Sequence, residues 1–373
     1  MATTELLFTP FQTPKLSLPN RIVMAPMTRA FSPGGVPGND VAAYYRKRAS
    51  YETGLIVTEG TWIPEEHAPN DPNVPCFHGA DALAGWQRVL DEVKAAGGRI
   101  VPQLWHVGIT PKTEIGELYG DEHEDTPQFG PSGIMSEGVK SGETMTLADI
   151  EKTAQAFVDA AKTAFDMGFD GVELHGAHGY LLDQFFWHVT NHRSSPYGGS
   201  IEERTRFACE IVEGIRQATA PDFPIILRMS QWKIVDYAAW LAETPDEWGR
   251  FLAPLAAAGV NVFHISQRRF WEPAFAGSDL SLAGWTKKLT NKAVITVGSV
   301  TLLKDMFESM VTGKERAEAT SLDELLRRFD NDEFDLVAIG RALIANPDWV
   351  EIVRQGRLAD LRPFEVSQLT SLS

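Results

Sequence analysis

Eight short apolar runs punctuate the chain, and that rhythm constrains the fold more than any other feature. They are residues 21–27, 55–58, 99–105, 171–174, 224–229, 262–266, 293–297 and 336–339. The runs are rich in Val, Ile and Leu and do not alternate with polar residues. That is the pattern of parallel strands covered on both faces. Helical stretches lie between them. Thr146 precedes a segment ending at Met167, in which Ile150, Ala154, Phe157, Ala161 and Ala164 share one face; Gly168 then stops it. Ser200 and Glu203 have capping-box spacing ahead of 205–218. Thr244, Pro245 and Glu247 supply an N-cap, a first-turn proline and a third-position acid. Pro254, inside that last segment, predicts a kink or a shorter helix.

Eight strands with interposed helices predict an α/β fold, a (βα)8 TIM barrel, with an open doubly wound sheet as the alternative. No linker divides the chain, so 1–373 reads as a single domain. Residues 6–18 read as a hairpin placed to plug the barrel bottom. Residues 110–146, rich in Gly, Glu and Asp, read as an excursion after the third strand, over the catalytic face. A second excursion spans 267–292, and 312–332 extends the seventh helical region.

Composition narrows the partners. The 43% of hydrophobic residues among 373 supplies a large core. A formal net charge of -16 repels phosphate backbones and anionic membranes, so neither nucleic acid nor membrane is expected. Two cysteines, Cys76 and Cys209, make no disulfide framework or metal-ligand spacing and read as free thiols of a reducing compartment. Met1 to Pro10 lacks the segments of a signal peptide, and no uncharged run reaches the ~18 apolar residues of a membrane span. A cytoplasmic protein, monomer or homodimer, is expected.

Active sites of such barrels lie at the C-terminal ends of the strands. The first run ends in Ala25-Pro26-Met27-Thr28, and the third in Gln103-Leu104-Trp105-His106. The fourth leads into Glu173-Leu174-His175-Gly176-Ala177-His178-Gly179-Tyr180, and the fifth holds Arg228. The last two end in Val297-Gly298-Ser299 and Ile339-Gly340-Arg341. Glycine and arginine there are a barrel's means of holding phosphate. His175 and His178 are two N–H donors that can share one electronegative oxygen. Tyr180 is a weak acid able to protonate a developing carbanion. A metal site needs a third ligand, and Glu173, on the same strand face as His175, keeps that alternative open. So does plain core packing of the two histidines.

Taken together and in order, these strings resemble the old yellow enzyme family of FMN-dependent ene reductases. The resemblance runs from Leu16 to Pro347. Its further carriers are the run from Asn20 to Thr28, Tyr197-Gly198-Gly199-Ser200 with Arg204 and Arg206, and Ala345-Asn346-Pro347 after Gly340-Arg341. The resemblance implies that Pro26, Met27 and Thr28 lie against the flavin, with Thr28 bonding its O4. It puts Gly60 and Gln103 at the ring's polar edge and Arg228 beside N1 and O2. Gly298 and Gly340 contact the phosphate through their backbone, with Arg341 as its cation. His175 and His178 bind the carbonyl or nitro oxygen of an electrophilic alkene, and Tyr180 protonates its α carbon. Trp105 shapes the substrate pocket or packs the barrel mouth.

NAD(P)H is the implied reductant. No G-x-G-x-x-G follows a strand and no Walker A string is present, so no separate dinucleotide domain is expected. The resemblance implies that reductant and substrate take turns in one pocket, a ping-pong scheme. The lack of a cysteine cluster separates the chain from longer iron–sulfur relatives. Four positions depart from the family pattern: Ile109, Val297, Ser195 and Leu343 stand where an arginine, a glycine, an aspartate and an aromatic are usual. Arg268 to Trp271 form either a lid over the flavin or a packed surface loop. Two other functions stay open. One is a flavin-free barrel lyase or metal-dependent hydrolase on His175, His178 and Glu173. The other is a flavin-binding protein without turnover.

Overall fold

The computed structural model describes residues 3–110, 127–194, 196–305, 308 and 320–373. Expectations attached to 111–126, Ser195 and 312–319 lie outside the described residues. Eight parallel strands close into a barrel. In chain order they are β1 (Ile22–Met24), β2 (Leu55–Trp62), β3 (Ile100–Trp105), β4 (Val172–His178), β5 (Ile225–Lys233), β6 (Val262–Ser266), β7 (Ala293–Val297) and β8 (Leu336–Ile339). Each pairs with its sequence neighbour, β8 pairs with β1, and Glu173 opposite Gln103 joins β4 to β3. The closed (βα)8 barrel therefore stands, and the open sheet does not.

Three strands run further than their apolar runs predict. Polar residues continue them at the C-terminal end, buried or half-buried, and each has a partner. In β2, Glu59 accepts N–H bonds from Arg29 and Ala30. In β5, Ser230 donates to the Trp232 carbonyl, and Gln231 Nε2 to that of Ala242. In β4, His178 N–H reaches Ser230 Oγ. A strand reading that stops at the first polar residue misses pairings made by other strands.

Two apolar cores result. The inner one joins Val23, Val57, Val101, Ile226, Val262, Ile295 and Ala338 inside the barrel. The hairpin of Phe11–Gln12 with Ser17–Leu18 adds Phe11, Leu16 and Leu18 to that cluster, at the ends where the strands begin. The outer core lies between strands and helices. Helix ends follow the expected chemistry. Thr146 and Asp149 form a capping box, Gly168 closes that helix in the left-handed region, and Thr244 caps Pro245–Ala258. That last helix continues through Pro254. The predicted shortening does not occur, since Trp248, Phe251, Leu252 and Leu255 anchor the helix in the core. Among the described residues, no helix is long and apolar enough to cross a membrane.

Candidate active site

The C-terminal end of β4 sets the geometry. His175 is on the strand, and a register shift follows between Gly176 and His178. His178 then adopts φ 65° and Gly179 φ 88°, both left-handed. The sharp turn is fixed from below. Asp183, in the helix Leu181–Phe186, accepts the Gly179 N–H at 2.7 Å. The same carboxylate meets Lys233 Nζ at 2.7 and 2.8 Å, and both side chains are fully buried. Burial pushes Asp183 up and Lys233 down in pKa, and their mutual attraction opposes both shifts. An apolar turn residue would leave the Gly179 N–H without this acceptor.

The turn brings an aromatic cluster together. Trp105 at the end of β3 stacks on His175 at 6.0 Å between ring centres, with 22° between planes. Trp232 stacks on His178 at 4.2 Å and 20°. Each imidazole thus has its own indole. His175 and His178 meet edge to face at 5.2 Å, and Tyr180 stands edge-on to His175 at 4.9 Å and to Trp105 at 4.8 Å. Tyr237 extends the stack from Trp232 at 5.1 Å. A Cβ at Gly60 would lie 2.5 Å from the Trp105 ring, so only glycine lets that indole rest on β2.

Electrostatics keep the pair neutral. Burial, then the Arg228 cation, holds both imidazoles well below the ordinary histidine range. His175 Nδ1 accepts a long bond from the Ala177 N–H, which leaves the proton on Nε2. His178 Nε2 lies 2.8 Å from Ser266 Oγ, the last residue of β6. Arg228 on β5 is in register with His175 on one side and His264 on the other. It is buried, and its Nε has no hydrogen-bond partner. Trp105 Nε1, Trp232 Nε1 and His264 Nε2 are likewise buried without partners. Four such atoms on neighbouring strand ends, among the described residues, fit a site completed by a polar ligand.

The other expected cofactor residues fall around the same rim. Pro26 is buried, and Met27 and Thr28 are half-buried after β1. Met27 Sδ lies 3.6 Å from the position a Cβ would take on Gly340, so the ends of β1 and β8 meet. Gly298 has φ 150°, and a Cβ there would lie 2.5 Å from the Gln267 carbonyl oxygen. Its glycine is therefore required by the loop after β6 itself. Arg341 donates from Nη1 and Nη2 to the carbonyls of Asp305 and Lys304, both at 2.8 Å, and burial pulls its pKa down to about 10. The loop 268–271 is tied down: Arg268 to Asp305, Arg269 to Glu308, and Phe270 N–H to the Gly298 carbonyl. Trp271 packs edge to face on Phe270. That anchoring holds the loop in place and leaves both readings of it, lid or packed loop, open to the kinetic test of Trp271→Ala.

Sequence reasoning missed Trp232, Ser266, Asp183, Lys233 and His264. Length of the fifth strand was the available signal for Trp232 and Lys233. For the others there was none short of tertiary contact.

A parallel barrel with paired histidines and a buried arginine at the strand ends defines a (βα)8-barrel protein with a ligand site in its C-terminal mouth. The chain belongs to the NADH:flavin oxidoreductase / NADH oxidase family, whose model matches residues 6–360. It is 34% identical to an NADH oxidase of Thermoanaerobacter brockii over 93% of its own length, and it spans 50% of that relative. It is 30% identical to 12-oxophytodienoate reductase 7 of Oryza sativa subsp. japonica, covering 93% of this chain and 87% of the relative. Its fold matches the solved structure of morphinone reductase with a TM-score of 0.77 at 29% identity, over 97% of this chain and 92% of that one.

Proposed function

We propose that the protein is an FMN-dependent ene reductase, reducing activated C=C bonds of α,β-unsaturated carbonyl or nitro compounds with NAD(P)H. One observation carries the reading. Two neutral histidines and a tyrosine share a barrel mouth with a buried arginine whose Nε has no partner. Arg228 would hold the cofactor edge where negative charge collects on reduction, and a fixed cation there favours the reduced form. Gly60, Gln103 and Thr28 would meet the remaining polar edge, with Pro26 and Met27 along the ring. Gly298, Gly340 and Arg341 would hold the phosphate. Bound FMN supplies a hydride from N5.

The residues of this chain do the rest. His175 donates from Nε2 to the substrate's carbonyl or nitro oxygen. When Ser266 donates to His178 Nε2, His178 keeps a proton on Nδ1 and is the second donor. Neutral donors stabilise the enolate oxygen as charge develops, without committing a proton to it. Tyr180 delivers that proton to the α carbon, a task suited to a phenol. Trp105 and Trp232 hold the two imidazole planes and wall the pocket. Reductant and substrate occupy the same mouth in turn, which makes the kinetics ping-pong. We place such an enzyme in the cytoplasm, as a monomer or homodimer.

A metal-dependent alternative needs Glu173 as third ligand, but both its oxygens are taken by Gln103 and His264. Purified protein is expected to be yellow, to release FMN in acid and to be bleached anaerobically by NADH or NADPH. In Tyr180→Phe, bleaching should keep its rate while reoxidation by a cyclic enone slows by roughly 10²–10⁴-fold. Colourless protein that gains hydrolase activity with zinc would overturn the reading.

A further inference from the structure

Two residues before His175, on the same face of β4, Glu173 is fully buried inside the barrel. One carboxylate oxygen accepts from Gln103 Nε2 at 2.7 Å, across to β3. The other lies 2.7 Å from His264 Nδ1 on β6, spanning past the strand that carries Arg228. We propose that Glu173 is a positioning residue for the cofactor edge: it fixes the polarity of Gln103 and His264 and offsets the charge of Arg228. The inference rests on the flavin reading above.

The argument is one of donor and acceptor bookkeeping. A carboxylate with two donors on it only accepts. Gln103 must therefore present its amide NH2 to Glu173, which orients the carbonyl Oε1 elsewhere. That oxygen has no partner among the described residues. His264 must likewise carry its proton on Nδ1, and burial holds the ring neutral. Its Nε2 is then a lone pair, and it is buried without a partner. Arg228 Nε, from the strand between, is an unpartnered donor. The single buried acid thus leaves two acceptors and one donor unpaired at the same end of the barrel. Flavin's pyrimidine edge carries one N–H donor between carbonyl acceptors. The Gln103 amide oxygen would take the N–H and the Arg228 guanidinium a carbonyl, while the His264 lone pair lies outside that pairing. Without Glu173 the Gln103 amide is free to flip and the His264 proton to change nitrogen, so the pattern loses its definition. The negative charge also opposes Arg228 in stabilising a reduced, anionic ring.

A purely structural bridge makes no claim on redox behaviour, and that separates the two roles. Glu173→Gln keeps the shape and removes the charge. Its FMN should become easier to reduce: the reduced-to-oxidised ratio at a fixed poise should rise about tenfold, close to 30 mV for a two-electron couple. The FMN dissociation constant should rise as well, because the amide polarity is no longer imposed. Normal FMN binding with the ratio unchanged within twofold would overturn the inference and leave the function reading intact. A wild-type protein that takes up no FMN would sink both. Should E173Q not fold, imidazole ¹⁵N shifts of the wild type decide alone. The Nδ1–H tautomer of His264, unchanged by FMN, is the expected result; an Nε2–H tautomer would refute it.

Discussion

At the scale of single residues, His178 carries the most constrained backbone in the site. Its φ of 65° is a region in which most side chains cost roughly 1–3 kcal/mol. The strain is offset by its N–H bond to Ser230, its ring contact with Ser266 and its stack on Trp232. Among L-residues, Asn and Asp tolerate this region best. His178→Asn therefore keeps both the turn and an N–H donor, whereas His178→Ala keeps neither. With an enone acceptor, H178N should retain most of the reoxidation rate. H178A should lose at least tenfold and bind a phenolic enolate mimic more weakly, while NAD(P)H bleaching of both stays near the wild-type rate. Equal reoxidation rates in the two variants would deny His178 its role as a donor. Two further imidazoles, His106 and His264, are also held neutral by burial. The imidazoles of the barrel are thus neutral, and the cation beside His175 and His264 is Arg228.

At the scale of elements, the strand ends hold both the candidate site and the parts that were hardest to read. His175, His178, Tyr180, Gln103 and Arg228 were legible because their types and spacing stand out where apolar runs stop. Ser266, Asp183 and His264 were not, since what marks them is a partner 50 or more residues away. Glu59 shows why β2 was read too short. It is an acid in a strand interior, buried completely, and its carboxylate anchors the loop after Thr28 through the N–H groups of Arg29 and Ala30. Burial raises its pKa to about 7, although those two N–H bonds pull the other way. The unfolded value is near 4.3. A raised folded value means the folded state binds the proton more tightly. The contribution is complete below about pH 4.3 and is lost as pH rises through about 7. Glu59→Gln cannot titrate. Its unfolding free energy should gain on the wild type by roughly 3 kcal/mol between pH 4 and pH 8, on the order set by the shift. Parallel stability curves for the two proteins across that range would mean that burial does not shift Glu59 from its unfolded value.

At the scale of the whole molecule, stability and chemistry are placed at opposite ends of one barrel. Phe11, Leu16 and Leu18 from the N-terminal hairpin enter the inner core beside Leu55, Val262 and Leu336, where strands begin. The guanidinium of Arg21 lies over the Phe11 ring at 5.3 Å and covers the plug. His175, Arg228 and Gly340 lie where the strands finish. The plug packs against the first residues of the strands, and the site residues lie further along the same strands. The packed interior lies between them, and Val57, Val101 and Ile226 are part of it. Close packing transmits a cavity locally, and a buried Leu→Ala change typically costs about 2–5 kcal/mol. Leu16→Ala should lower the midpoint of thermal unfolding by that loss. Its flavin absorbance, reduction rate and reoxidation rate per folded molecule should match the wild type at 25 °C. The comparison is clean because Leu16 is only 4% exposed and the inner cluster it belongs to contains no residue assigned to the site. If turnover fell while the unfolding midpoint held, the hairpin would have to act on the mouth through the barrel interior. The division of the molecule into a stabilising end and a reacting end would then be wrong.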